Sequence, residues 1–346
     1  MRFGLFGGPG AGPPRADERH AYHQFADYAA EAEALGFVSV FLTEHHFTGL
    51  GQASSPLTLL AHLAARTTTM RLGTAVTVLP WYNPIMVAEQ AATVDVLSRG
   101  RLDFGVGRGF RAAEFEGFGQ TMEEASQRHE EALEVILKAW TTEGRWSHHG
   151  RFWNYTDVLA EPASVQSPHP PIWVGAGSSV SLVGAADAGF RLLLDQVADF
   201  EKTGERIAVY RDRLTELGRE YSPGEDVAVT RSLHLVDGGR EREAAIRERV
   251  EGFAQVAVLT NSRSGPQNRM AADYTADIRA ATEAGAIIGD VEECVERLER
   301  LRAAGAEYVL LIDRHNSPET LRVFAREVMP RLAEPALRTE TYSARR

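Results

Sequence analysis

Three scarcities narrow what this chain can be. A single cysteine, Cys294, stands in 346 residues, so no internal disulfide can form and stability has to come from a buried core. That usage leads us to expect a cytoplasmic setting. No apolar run approaches the roughly 20 residues that a membrane-spanning helix needs. The opening MRFGLFGGPG breaks at glycine and proline after a few apolar residues, too soon for a signal peptide as well. Positive charge is also in deficit: 37 Lys and Arg face 48 Asp and Glu, a formal net charge of −11. With no long basic block interleaved with aromatics, that balance argues against a nucleic-acid partner. A lysine phosphate loop, a CxxC pair and a GxSxG elbow are all missing, which removes several familiar enzyme classes. Cys294 falls in a predicted helix and reads as a small buried hydrophobe rather than a nucleophile.

What is present is a regular alternation. Apolar residues make up 44% and charged residues 25%, the balance of a folded globular chain. Short apolar runs begin near positions 3, 38, 71, 102, 172, 191, 228 and 308, with helical patterns between them. Eight strands alternating with helices are what a closed parallel (β/α)8 TIM barrel requires, each strand buried on both faces. We therefore expect a single-domain barrel over 1–335 followed by a solvated basic tail at 336–346, with a doubly wound open sheet as the alternative. The stretch 144–171 lacks helical period and is expected to form a hairpin and a long surface connection. Residues 260–289 read as an insertion after strand seven, a possible active-site lid.

In such a barrel the residues to inspect lie just beyond the carboxyl ends of the strands. TEHHF at 43–47 places Glu44, His45 and His46 there, groups that can hydrogen-bond to neighbouring loops, titrate near neutrality or bind metal. The metal reading is poor, because too few ligands converge unless Asp195 or His315 also arrives. GVGRGF at 105–110 has glycine spacing suited either to tight packing at a strand end or to a phosphate held by Arg108. WVGAGSSVS at 173–181 offers glycines at a strand end and then Ser178, Ser179 and Ser181 at a helix start, where free N–H groups favour an anion. Capping alone would account for one of those serines. Together, Arg108 and the serine turn suggest a phosphorylated cofactor.

These pieces also resemble the bacterial luciferase-like flavin monooxygenases. The resemblance rests on RFGLF at 2–6, FLTEHHFTGLG at 41–51, RLGTAVTVLPWYNP at 71–84, LSRGRLDFGVGRGF at 97–110, FEGFG at 115–119 and WVGAGSSVSLVGAADAG at 173–189. It implies reduced FMN, or a deazaflavin in other branches, at the carboxyl end of the barrel. It implies that His45 handles the proton or the flavin C4a-(hydro)peroxide formed with O2. Arg108, Ser178 and Ser181 would hold the phosphate, and Glu44, Thr74, Ala75, Val76, Gly175, Ala176, Gly177 and Ser179 would complete the cofactor site. His46, Trp81, Tyr82, Phe110 and Phe115 would wall a pocket for a small organic or natural-product substrate. The resemblance further implies a separate NAD(P)H-dependent flavin reductase and a homodimer. Two departures stand out: Gly177 replaces a glutamate of the luciferase subunit, and Val106-Gly107 stands where that subunit often has a reactive cysteine. A deazaflavin-dependent hydride-transfer enzyme and a non-catalytic partner subunit are the competing functional readings.

Overall fold

A computed structural model describes residues 1–10, 18–50, 52–260 and 277–333. Eight parallel strands close into a ring: β1 (Arg2–Gly7), β2 (Ser39–Leu42), β3 (Arg71–Thr74), β5 (Leu102–Gly107), β8 (Ile172–Gly175), β9 (Arg191–Leu194), β10 (Val227–Leu235) and β12 (Tyr308–Ile312). Closure is made by the β9–β10 and β12–β1 pairings, Ala228 lying beside Leu193 and Phe3 beside Val309. Those pairings exclude the open sheet. Two short strands extend the ring: β4 (Thr77–Val78) beside β5, and β11 (Ile287–Gly289) beside β10.

The barrel is filled rather than hollow. Phe41, Trp173, Leu193, Ala228, Tyr308 and Leu310 meet at its axis, with the Phe41 and Trp173 rings edge-on at 5.4 Å. Inward-facing glycines make room for them. A Cβ at Gly73 would enter the Phe41 ring, and one at Gly105 would run into the Thr74 carbonyl oxygen. Most of the remaining core lies between the strands and the helices outside them, as two-sided burial of parallel strands requires.

Helix starts and stops follow local chemistry. Pro56 opens α2 (Pro56–Arg66), and Asn83 caps α3 (Pro84–Ser98) by accepting from the Ile85 and Met86 N–H groups. In the 144–171 connection, β6 (Trp146–His149) and β7 (Asn154–Val158) form the expected antiparallel hairpin. Its turn is held by Glu131 of α5 (Ala125–Thr141), whose carboxylate accepts from the backbone N–H groups of Arg151, Phe152 and Trp153. Cys294 is completely buried, and burial pushes its thiol up to about 12.

One expectation needs adjustment. The 260–289 stretch is not wholly an insertion, because it ends in a helix (Ile278–Gly285) and in β11, whose Ile287 and Ile288 are fully buried. Two isoleucines and a glycine were too few to register as a strand. Residues 261–276, the centre of the suggested lid, and the tail at 336–346 lie outside the described residues. The closing helix is also interrupted. Pro318–Val323 passes through a π turn at Phe324–Val328 before Met329–Leu332, and Pro330 there has no N–H to continue a regular ladder. Among the described residues no helix is long and apolar enough to cross a membrane.

Candidate active site

β2 delivers Glu44, His45 and His46 at its carboxyl end, where two buried carboxylates, Glu44 itself and Glu114, fix the two histidines. Glu44 is buried, and its carboxylate accepts from the Tyr82 hydroxyl at 2.9 Å, from His46 Nε2 at 3.1 Å and from the Val78 N–H at 3.3 Å. Burial raises its pKa, while those hydrogen bonds pull the other way. The Tyr82 hydroxyl is therefore spent on Glu44.

His45 is held by a residue that lies 69 positions further along the chain. Glu114 of α4 (Ala112–Gly117) is buried, and its Oε1 lies 3.1 Å from His45 Nδ1 and 2.9 Å from the His46 N–H. The Arg111 guanidinium approaches the same oxygen at 3.7 Å. An ionised carboxylate can only accept, so Nδ1 carries the proton and Nε2 presents its lone pair. Burial lowers the His45 pKa, opposed by the Glu114 hydrogen bond, so the neutral ring prevails at pH 7. The imidazoles of His45 and His46 thus face separate carboxylates. Asp195 is paired with Arg206 and His315 with Glu248.

Above this network lies an aromatic box. Trp81 packs against His46 at 5.2 Å, Phe115 at 5.5 Å and Phe118 at 5.1 Å between ring centroids, and Phe47 closes on Phe118 at 4.9 Å. Phe47 and Phe118 remain exposed. Phe110 is half-buried at the edge. Beside the box, the Ala75–Val76 peptide is cis. Ala75 and Val76 rest on the axial core, the Ala75 N–H donates to the Leu42 carbonyl at 2.7 Å, and the Thr74 hydroxyl donates to the Gly105 carbonyl at 2.7 Å. Together these residues make an apolar shelf at the ends of β3 and β5.

The two phosphate candidates flank the carboxyl ends of β5 and β8. Arg108 is exposed, and its Nη1 donates to Ser126 Oγ at 3.3 Å. At the start of α6 (Ser179–Ala188), Ser178 accepts from the Ser181 N–H while Ser181 Oγ accepts from the Ser178 N–H. Two serines, not one, are thus used in capping. Ser179 lies exposed in the first turn, and the helix N-terminus keeps its attraction for an anion. Gly175 is exposed, whereas Ala176 and Gly177 are partly covered.

Glu114, Arg111, Phe118, His129 and Arg206 were not singled out in the sequence. Arg111 and Glu114 follow GVGRGF within a few residues and fall three apart across the start of one short helix, whose N-cap is Arg111, a spacing that invites an ion pair. His129 donates to the Gly107 carbonyl next to Arg108, while its Nδ1 is buried without a partner. Burial holds its pKa down to about 4, as it does for His234 on β10. Both rings are therefore neutral when folded but protonate near 6.5 when unfolded. Their contribution to stability is complete above about pH 6.5 and is lost towards pH 4, by at most roughly 1.4 kcal/mol per pH unit for each ring. Glu44 and Asp313, raised by burial, offset part of that loss. Urea midpoints measured at pH 7 and pH 5 should separate less in His234→Gln than in the wild type; an equal separation would remove His234 from this account.

A family model described as luciferase-like monooxygenase matches residues 1–308, and the chain belongs to that family. Along almost its full length it is similar to the oxygenase component of the flavin-dependent trigonelline monooxygenase of Acinetobacter baylyi, at 28% identity over 96% of each chain. Among solved structures, the monooxygenase RslO1 of Streptomyces bottropensis superposes with a TM-score of 0.82 at 27% identity, covering 96% of this chain and 100% of that one. An F420-dependent secondary alcohol dehydrogenase bound to an F420–acetone adduct shares the fold at a TM-score of 0.77 and 17% identity, over 96% of this chain and 99% of that one. All three relatives are oxidoreductases, one of them flavin-dependent and one F420-dependent.

Proposed function

We propose that this protein is a cytoplasmic FMN-dependent monooxygenase that receives reduced flavin from a separate NAD(P)H-dependent reductase and oxygenates a small organic substrate. The observation that carries the reading is the pairing of Glu114 with His45 Nδ1, which leaves the Nε2 of a neutral ring outside that contact at the carboxyl end of β2, next to the His46 that packs into the aromatic box. The full-length similarity to a flavin-dependent oxygenase component supports FMN over a deazaflavin. The residues present suit a phosphorylated flavin: an exposed arginine after β5, a capped helix N-terminus after β8, and the partly exposed apolar pair Ala75 and Val76 after β3. A homodimer would form through α2 and α3, where Met86 and Leu97 stand exposed on the outer helix.

Reduced FMN, when bound, supplies the two electrons with which O2 is split between substrate and water. The chain supplies the rest. Arg108 and the α6 N-terminus bind the phosphate, Ala75 and Val76 support the ring system, and Trp81, Phe115 and Phe118 exclude water. His45 Nε2 accepts a proton and returns it, with Glu114 holding the ring in one tautomer.

Mixing the protein anaerobically with photoreduced FMN, and separately with reduced F420, then admitting O2 tests the reading. Retention of reduced FMN and oxygenation of a supplied substrate support it; tight F420 binding without O2 consumption would replace it with hydride transfer, and absence of both would favour a non-catalytic subunit. Arg108→Ala should weaken FMN binding about 10- to 100-fold, the scale of lost charge-assisted hydrogen bonds. Turnover at saturating flavin should change by less than about threefold, the pattern of lost uniform binding. A large fall in turnover at unchanged affinity would move Arg108 out of the phosphate role.

A further inference from the structure

Gly177 leaves a gap in the serine turn, and the structure fills it with an arginine from the next helix. Arg206 projects from α7 (Phe200–Glu216), and its side chain is only 18% exposed. Its Nη1 donates to Asp195 Oδ2 at 2.5 Å. Asp195 is itself fixed at the end of β9, where Oδ1 accepts from the Val197 and Ala198 N–H groups at 2.8 and 3.0 Å. Arg206 and those N–H groups hold the Asp195 carboxyl below its ordinary range against the opposing effect of burial. One corner of the guanidinium is thereby anchored.

The opposite edge points at the turn. A Cβ placed on Gly177 would stand 3.2 Å from Arg206 Nη2 and 3.9 Å from Nε, so the Nε–Nη2 fork is the edge turned towards Gly177. Nε is buried without a hydrogen-bond partner. A buried donor left unmade is costly, and a planar two-donor fork matches a phosphate bidentately in a way that a lysine could not. No side chain at position 177 stands between this fork and the turn that carries Ser178.

We propose that Arg206 is a second cationic ligand for the flavin's terminal phosphate, aimed through the opening at Gly177 and oriented by Asp195. The proposal rests on the FMN reading above and adds a phosphate ligand to it. Arg206 supplies two donors from α7, Arg108 supplies charge from the end of β5, and the α6 N-terminus supplies backbone N–H groups.

The test compares the affinity of the folded protein for FMN and for riboflavin, which differ by the phosphate alone, using flavin fluorescence and calorimetry rather than turnover. The wild type should prefer FMN by at least about a hundredfold, the scale of several charge-assisted hydrogen bonds. Arg206→Gln should cut that preference about tenfold or more while leaving riboflavin affinity unchanged. Arg206→Lys, which keeps the charge and loses the fork, should recover only part of it. Gly177→Glu, which places a carboxylate against the guanidinium, should also erode the preference. An Arg206→Gln protein with the wild-type ratio overturns the proposal, as does one that loses riboflavin and FMN affinity equally, since that marks a purely structural role. A wild type that binds riboflavin as tightly as FMN overturns the FMN reading as well, which separates the two failures.

Discussion

His45→Ala should lower the rate of substrate oxygenation by about 10²–10⁴-fold, the range for loss of a positioned acid–base group. FMN affinity should stay within about threefold of wild type. The separation follows from where the ring is held. Glu114 keeps the His46 N–H and the nearby Arg111 guanidinium after the imidazole is removed, so its charge is not stranded and the loop retains a tether. Arg108, Arg206 and the serine turn, to which the proposals above assign the phosphate, are attached to other strands and helices. The removed function is a lone pair at Nε2. In the wild type the rate should fall on the acid side as His45 becomes protonated, and because burial depresses its pKa that limb should lie below the ordinary histidine value of about 6.5. The measurement is single-turnover product formation with pre-reduced FMN from pH 5 to pH 8. Glu114→Gln, which leaves a weaker acceptor at Nδ1, should shift the limb further towards acid and lower the plateau less than His45→Ala does. A His45→Ala enzyme within threefold of wild type, or one whose loss follows its FMN affinity, would sink the assignment.

The barrel was legible because buried parallel strands are continuous apolar runs, and all eight stood out between helical patterns. The first half of the candidate site was legible for a related reason. TEHHF follows β2, and GVGRGF and GAGSS run out of the ends of β5 and β8, so chain order alone brings them to one rim. What stayed hidden are the residues that reach the rim from elsewhere. Glu114 lies on a six-residue helix with little periodicity, and Arg206 stands in the middle of an amphipathic helix where an arginine ordinarily faces solvent. Nothing local marks either as directed inward; only closure of the ring sets Glu114 beside His45 and Arg206 beside Gly177. The serine turn shows the opposite limit. Its S-x-x-S spacing was readable, yet the reciprocal bonding of both hydroxyls emerged only from geometry. β11 escaped notice because a three-residue strand carries no period.

Gly105→Ala should be the most damaging small substitution in the barrel, costing about 3 kcal/mol or more, at or above the upper end for overpacking. The added methyl would collide with the Thr74 carbonyl oxygen, a backbone atom that no rotamer change can move aside. Thr74 is itself fully buried and its hydroxyl donates to the Gly105 carbonyl. The next residue, Ala75, donates its N–H to Leu42 of β2. Relief therefore requires shifting β3 against both neighbours while Gly105 stays in register with Trp173 of β8. A domain of ordinary stability has only about 5–15 kcal/mol to lose. The shift would also displace the Ala75–Val76 shelf, so FMN affinity should fall even in whatever protein remains folded. Gly175→Ala at the end of β8 is the matched control: nothing lies within 4 Å of its added Cβ, and its stability should stay within about 0.5 kcal/mol of wild type. Urea unfolding of the three proteins, followed by tryptophan fluorescence, gives the comparison. Equal midpoints for the two variants would mean that β3 yields to the methyl, and the rigid shelf on which the flavin is proposed to rest would have to be abandoned.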